Sequence, residues 1–366
     1  MTALLCRVCR VIDSGMRVGL FDLLTPDVAL HAVEQAYERV LDGSVQPYPS
    51  YVNRVYGVRD DDGHELIAKF YRPRRWTAEA ILDEHRFLRD CAAAEIPVVP
   101  PIAAPDGDTL HTLEVTAEEG ADGADGADRF YRAEGADETD GETFRFALFP
   151  KRGGRNFDAE TDEQWYRLGA LIGRCHAVGA GGTASHRLVC APGSLTVPFV
   201  DDLLAKGLVV GEARAEFETV CRQTLAAVEP LFDGVPLIRI HGDCHRGNIL
   251  HRPDTGLLLF DFDDMMLGPA VQDIWLLLPG YADDSRRELT MLLDGYEQFA
   301  PFDHSHLRLI EPLRFMRMIY FLAWRAAQMH DHWFRESFPN WGNEAFWIKE
   351  TEDLKTQAAV VMQTVG

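Results

Sequence analysis

Residues 240–250 read IHGDCHRGNIL and residues 258–264 read LLFDFDD, so a loop rich in chemistry lies between two apolar stretches and a second acidic cluster ends a short apolar strand. Asp243 stands five positions before Asn248 in the first run, and Asp261 closes the strand of the second. Strand ends that meet at one place would bring together two oxygen ligands and a proton acceptor. Mg²⁺ prefers hard oxygen ligands, and a hydroxyl that attacks a phosphoryl group needs an aspartate to orient it and take its proton. The spacing therefore points to phosphoryl transfer from ATP, by the His-x-Asp-x4-Asn and Asp-x-Asp logic common to protein kinases and small-molecule kinases. A lone Asp or Asn in a loop is more often a turn former or a cap. The weight rests on the fixed spacing to Asn248, the apolar approach to Asp261, and a lysine on a strand far upstream.

That lysine is Lys69. Residues 51–58 and 65–71 have strand composition and are joined by a turn containing Asp61-Asp62-Gly63, with Lys69 on the second strand. A helix capped by Thr77 should follow, with Ile81, Glu84, Leu88 and Cys91 on one face. An acid on an apolar stripe needs a partner. Lys69 is the candidate, in the strand-lysine to helix-glutamate pair that readies a lysine for phosphate. Upstream, Thr25-Pro26 should open a helix whose apolar spacing runs from Val28 through Val40 and Leu41.

The 366 residues suffice for two lobes with a cleft between them. Residues 144–149 read as a strand, residues 150–155 as a breaker-rich hinge, and the segments around 165–176, 213–231, 286–300 and 307–329 as helices, so the second lobe should be mainly α. Residues 1–21 read as an appended, disordered leader. Residues 107–145 hold twelve acids against three arginines, with an Ala-Asp-Gly repeat at 120–128, and are expected to form a mobile insertion. The net charge of −22 argues against a nucleic-acid partner and would favour a cationic one. No stretch approaches the ~18 apolar residues of a membrane span. Seven irregularly spaced cysteines suit a reducing, cytoplasmic setting better than a disulfide framework.

The chain resembles the stress response kinase A family of bacterial Ser/Thr protein kinases. The resemblance is carried by SYVNRVY (50–56), KFYRPRRWTAEAILDEH (69–85), LGALIGRCHAVG (168–179), RIHGDCHRGNIL (239–250), GPAVQDIWLLL (268–278) and IEPLRFMRMIYFLAW (310–324). It implies an α+β, bilobal, protein-kinase-like fold of the aminoglycoside phosphotransferase type, with a small β-rich N-lobe (22–149) and a larger, mainly α C-lobe (150–366). It also implies ATP as phosphoryl donor, Mg²⁺ as cofactor, and a monomer acting on a protein substrate whose identity is unknown, with no membrane partner. By position, Asp243 would be the proton acceptor, Asn248 and Asp261 the metal ligands, and Lys69 the phosphate contact paired with Glu84. Ser50 would touch the nucleotide, and adenine would lie near Phe149 and Pro150. His245 could assist the transferring phosphate or serve as a structural hydrogen-bonder, and His241 and Asp273 would be structural, Asp273 accepting backbone N–H groups of the catalytic loop. The alternatives are a small-molecule kinase for an aminoglycoside, choline or an amino alcohol, a hydrolase using His241-x-Asp243-x-His245 as metal ligands, and a silent nucleotide binder.

Overall fold

Thr25 Oγ1 accepts the N–H of Val28 at 3.5 Å and Pro26 sits in the first turn, which starts helix α1 (Pro26–Tyr37) where the sequence places it. The helix stops sooner than the apolar spacing suggests. Glu38 adopts left-handed backbone (φ 48°, ψ 42°), Val40 is left 63% exposed, and Leu41 begins an unforeseen strand, β2 (Leu41–Tyr48). In the computed structural model, the described residues are 6–11, 20–21, 23–50, 52–118 and 141–365. They fall into two compact units, Met1–Leu82 with Pro100–Lys151, and Asp83–Val99 with Arg152–Gly366.

The first unit contains β1 (Cys6–Val11), α1, β2, β3 (Arg54–Asp60), β4 (Glu65–Tyr71), β5 (His111–Glu118) and β6 (Gly141–Pro150). One six-stranded sheet joins them in the order β1-β5-β6-β4-β3-β2, antiparallel except for β1 beside β5. β3 and β4 form the expected hairpin, with Gly63 supplying the left-handed turn residue at φ 85°. Val28, Ala32, Val33 and Tyr37 of α1 pack with Phe70, Leu113, Phe144, Phe146 and Leu148 of the sheet. Two tyrosines tie this core to backbone: Tyr37 Oη accepts the Leu148 N–H at 2.9 Å, and Tyr56 Oη donates to the Leu24 carbonyl at 3.1 Å.

Two expectations change here. Residues 107–145 are not a loop throughout, because β5 and the start of β6 lie inside that range and pair in register, Leu113 opposite Phe144. Buried Leu113, Val115 and Phe144 alternate with polar neighbours, a strand pattern that the average acidity of the segment hides. The Ala-Asp-Gly repeat at 120–128 lies outside the described residues. Within the leader, Cys6–Val11 forms β1, and residues 1–5 and 12–19 are likewise outside the described residues.

Helix α2 (Ala78–Ala93) is capped by Thr77, whose Oγ1 accepts the Ala80 N–H at 3.2 Å. Ile81, Glu84, Leu88 and Cys91 are all buried, as their shared face requires. The division between units falls after Leu82, so residues 83–99 group with the second unit rather than with the N-terminal lobe to which the sequence assigned them.

The second unit is mainly helical. It comprises β7 (Arg155–Asn156), α3 (Asp162–Ala180), α4 (Val197–Ala205), α5 (Ala213–Val228), β8 (Ile238–Ile240), β9 (Ile249–Arg252), β10 (Gly256–Leu259), β11 (Met266–Gly268), α6 (Val271–Trp275), α7 (Arg286–Tyr296), α8 (Ile310–Ala326), α9 (His332–Ser337) and α10 (Glu344–Val365). Two small antiparallel sheets, β10-β9-β7 and β11-β8, set the loops between them. No helix among the described residues is long and apolar enough to cross a membrane.

Helices α3 and α7 approach through small residues. A Cβ on Gly295 would stand 1.9 Å from the Tyr166 carbonyl oxygen, and one on Gly169 would stand 1.8 Å from that of Leu292. Both are backbone contacts, so the helices themselves would have to separate. Gly295→Ala should therefore cost about 1–3 kcal/mol or more and lower the thermal unfolding midpoint by several degrees, and an unchanged midpoint in a thermal melt would refute this account of the α3–α7 contact.

Candidate active site

Loop 241–248 leaves β8 and enters β9, and its shape is fixed by one buried carboxylate. Asp273 on α6 accepts the His241 N–H through Oδ2 at 2.7 Å and the Gly242 N–H through Oδ1 at 2.9 Å. Its Oδ2 also meets His176 Nε2 at 3.0 Å, and His176 Nδ1 lies 3.1 Å from Tyr296 Oη. The side chains of Asp273 and His176 are each 1% exposed, so these bonds replace water rather than compete with it. Asp273 thus takes the place expected of it.

Gly242 turns the loop. Its φ is 82°, and a Cβ there would lie 2.1 Å from the Asp264 carbonyl oxygen, so only glycine lets this loop touch the 261–264 segment. His241 is buried and structural. Its Nε2 lies 2.9 Å from the Phe260 carbonyl, which can only accept, so Nε2 carries the proton and Nδ1 accepts the Asp243 N–H at 3.3 Å.

Asp243 emerges from this frame with its side chain 20% exposed. Arg317 Nη2 on α8 donates to its Oδ1 at 2.5 Å, and His245 Nε2 stands 3.5 Å from its Oδ2. Burial alone would raise the Asp243 carboxyl. The hydrogen bond from His245 and the charge of the Arg317 guanidinium, with the nearby His245 and His241 rings acting in the same direction, outweigh it and hold the group well below the usual carboxylate range. His245 Nδ1 accepts the Gly247 N–H at 3.0 Å, which leaves Nε2 as the nitrogen that faces Asp243.

Asn248 is oriented by its own loop. Its Nδ2 donates to the Asp243 carbonyl at 2.9 Å, so the carboxamide oxygen is the atom left to serve as a ligand. The Phe260 N–H bonds the Asn248 carbonyl at 3.1 Å, which holds the chain just before Asp261 against this loop. Asp261 itself is exposed and left-handed (φ 62°, ψ 64°), a conformation rare for a residue with a Cβ and found where a side chain must be aimed. Asn248 and Asp261 stand at the ends of adjoining strands, β9 and β10, and their side chains are of the oxygen-donor type that a hard cation such as Mg²⁺ takes.

The remaining expected residues divide between the units. Glu84 lies in the second unit, where its Oε2 accepts from Arg187 Nη2 at 2.8 Å, with both side chains 2% exposed or less. Arg187 Nη1 donates to the Asp263 carbonyl at 2.7 Å, so Glu84 is joined through an arginine to the segment that bears Asp261. Lys69 lies in the first unit, 9% exposed on β4, with Nζ 4.9 Å above the Tyr71 ring. Phe149 is buried on β6 opposite Ile67, and Ser50 Oγ accepts the Asn53 N–H at 3.2 Å.

Two arginines at the heart of this arrangement were not anticipated. Arg317 left a trace in the sequence, because a cation three residues before Tyr320 and four after Leu313 interrupts a buried helical stripe. Arg187 left none; its partners lie 103 and 76 residues away in the chain.

Comparisons with known proteins show the family to which the chain belongs. Residues 44–310 match the model of the phosphotransferase enzyme family. The chain is 34% identical over 344 residues to stress response kinase A of Escherichia coli K12, covering 94% of this chain and 95% of that protein. It is 32% identical over 343 residues to the serine/threonine protein kinase RdoA of Salmonella typhimurium LT2, covering 93% and 94%. Among solved structures, amicoumacin kinase hAmiN in complex with AMP-PNP, Ca²⁺ and Ami superposes with a TM-score of 0.65 at 18% identity, over 89% of this chain and 93% of that one. A microcompartment-associated aminopropanol kinase gives 0.60 at 18% identity, over 90% and 96%. The fold is thus of the aminoglycoside phosphotransferase type.

The clamp on the loop can be tested apart from the chemistry. Asp273→Ala leaves two backbone N–H groups and His176 without their buried acceptor, a loss of about 3–5 kcal/mol, to be read as a lower denaturation midpoint. Wild-type stability in this variant would show that the loop is held elsewhere.

Proposed function

The chain belongs to the phosphotransferase enzyme family, to the branch of stress response kinase A, and we propose that it transfers the γ-phosphoryl group of ATP to Ser or Thr hydroxyls of proteins. The observation that supports the chemistry best is Asp243, held ionised by Arg317 and partly exposed in the loop that also carries Asn248. The Ser/Thr protein reading draws on the names of the relatives.

In this proposal Asp243 Oδ2 accepts the hydrogen bond of the acceptor hydroxyl and aims its oxygen at the γ-phosphorus. The new O–P bond forms as the bond to the bridging oxygen breaks, ADP leaves, and the hydroxyl proton passes to Asp243. A carboxylate held so acidic is a weak base, so its work is chiefly orientation, and the proton moves late. Asn248 Oδ1 and Asp261 would hold Mg²⁺, which when bound offsets phosphate charge. Lys69 contacts the phosphates, Ser50 the nucleotide, and Phe149 the adenine. Glu84 serves through Arg187, which reaches the Asp263 carbonyl beside Asp261.

A second reading has the same chemistry acting on a small alcohol. The net charge of −22 favours a cationic one through long-range attraction. Labelled γ-phosphate offered with a protein extract and with a panel of small alcohols separates the two. Label on protein Ser or Thr supports the first reading, and label confined to one alcohol replaces it with the second.

Asp243→Ala should lower transfer by on the order of 10² to 10⁴ with little change in ATP affinity, and equal turnover would remove Asp243 from the mechanism. Asp261→Asn and Asn248→Leu should raise the Mg²⁺ concentration needed for half-maximal rate. An unchanged metal requirement in both would reassign the ligands.

A further inference from the structure

Asp243 is paired with a guanidinium, although the chain as a whole is strongly anionic. Arg317 occupies Oδ1 at 2.5 Å, and its guanidinium lies 4.8 Å from the centre of the Tyr320 ring. That ring is itself fixed, since Tyr320 Oη donates to Asp264 Oδ1 at 2.6 Å and Phe199 packs edge-on at 5.6 Å. The arginine is therefore held in place by a stack and an ion pair rather than trailing in solvent, and its side chain remains 23% exposed. With Oδ1 taken, Oδ2 is the oxygen left for an acceptor hydroxyl, and His245 Nε2 lies 3.5 Å from that same atom.

We propose that Arg317 is a positioning and specificity-determining residue, which fixes the Asp243 carboxylate in one orientation and selects acceptors whose surroundings are neutral or acidic over cationic ones. The inference rests on the reading of Asp243 as the group that receives the acceptor hydroxyl. A cationic acceptor meets a carboxylate already neutralised by a guanidinium, so the local attraction that would hold an ammonium beside the reacting hydroxyl is cancelled. An acceptor with a carboxylate or phosphate near its hydroxyl can instead share the exposed edge of Arg317, which has five N–H donors and has committed one to Asp243. The −22 charge of the chain then governs approach from a distance, while this single side chain governs which acceptor is productive.

The test uses the full-length enzyme with Mg-ATP and two pairs of acceptors matched in size. One pair is a serine peptide flanked by glutamates and the same peptide flanked by lysines; the other is a hydroxy acid and an amino alcohol of equal length. Wild type should favour the acidic member of at least the pair it accepts. Arg317→Gln should shift kcat/KM toward the cationic member by on the order of ten-fold, the effect of one charge several ångströms away in a partly solvated site. The shift should lie mainly in KM for the acceptor, with KM for ATP unchanged, and Arg317→Lys should restore much of the wild-type preference. A wild-type preference for the cationic members overturns the inference, whatever becomes of the variants. So does an Arg317→Gln enzyme whose preference between the acidic and cationic members of each pair is unchanged from wild type. Absence of transfer to any acceptor overturns the phosphotransfer reading, and this inference with it.

Discussion

A single carboxylate carries the geometry of the second unit. Asp273 receives two consecutive backbone N–H groups of loop 241–248 and a histidine from α3, all away from water. Backbone amides cannot leave such a partner without a desolvation cost, so the loop has one shape rather than an ensemble. The orientation of Asp243, the path through Gly242 and the contact with the 261–264 segment follow from it. The Asp243 carboxylate is thus positioned by another carboxylate, buried and outside the loop.

A second support meets the same segment from another direction. Glu84 and Arg187 form a buried ion pair, and the spare arm of the guanidinium reaches the Asp263 carbonyl. A buried pair of this kind adds little net stability over an apolar contact, and its value lies in specifying one arrangement. Here it relates α2 to the strand end that presents Asp261. The fork of arginine suits this because one side chain can satisfy a carboxylate and a carbonyl at once.

Much of this was legible in the sequence where local rules decide. Thr25 and Thr77 announced their helices by capping, Asp61-Asp62-Gly63 announced a hairpin, and the burial of Glu84 followed from the spacing of Ile81, Leu88 and Cys91. The apolar stretches around loop 241–248 and before Asp261 do run side by side, as strands β9 and β10. What escaped was set by distance or by averaging. Arg187 and Arg317 meet partners 74 or more residues away, which no local pattern encodes. β5 was hidden because a strand's alternation is a short signal, and the acidic run beside it dominated the composition. The early end of α1 was missed because Val40 and Leu41 fit a helical spacing that the backbone at Glu38 no longer follows.

The left-handed backbone of Asp261 has an evolutionary consequence. Glycine, asparagine and aspartate are the residues that visit this conformation at low cost. Most replacements there strain the turn, but two of the tolerated ones delete the negative charge and leave the backbone at ease. A descendant of this chain could therefore lose the Asp261 charge by a one-residue change to asparagine or glycine while the turn keeps its backbone. The position is one where charge and architecture are separable, so the negative charge there can be gained or lost without rebuilding the turn.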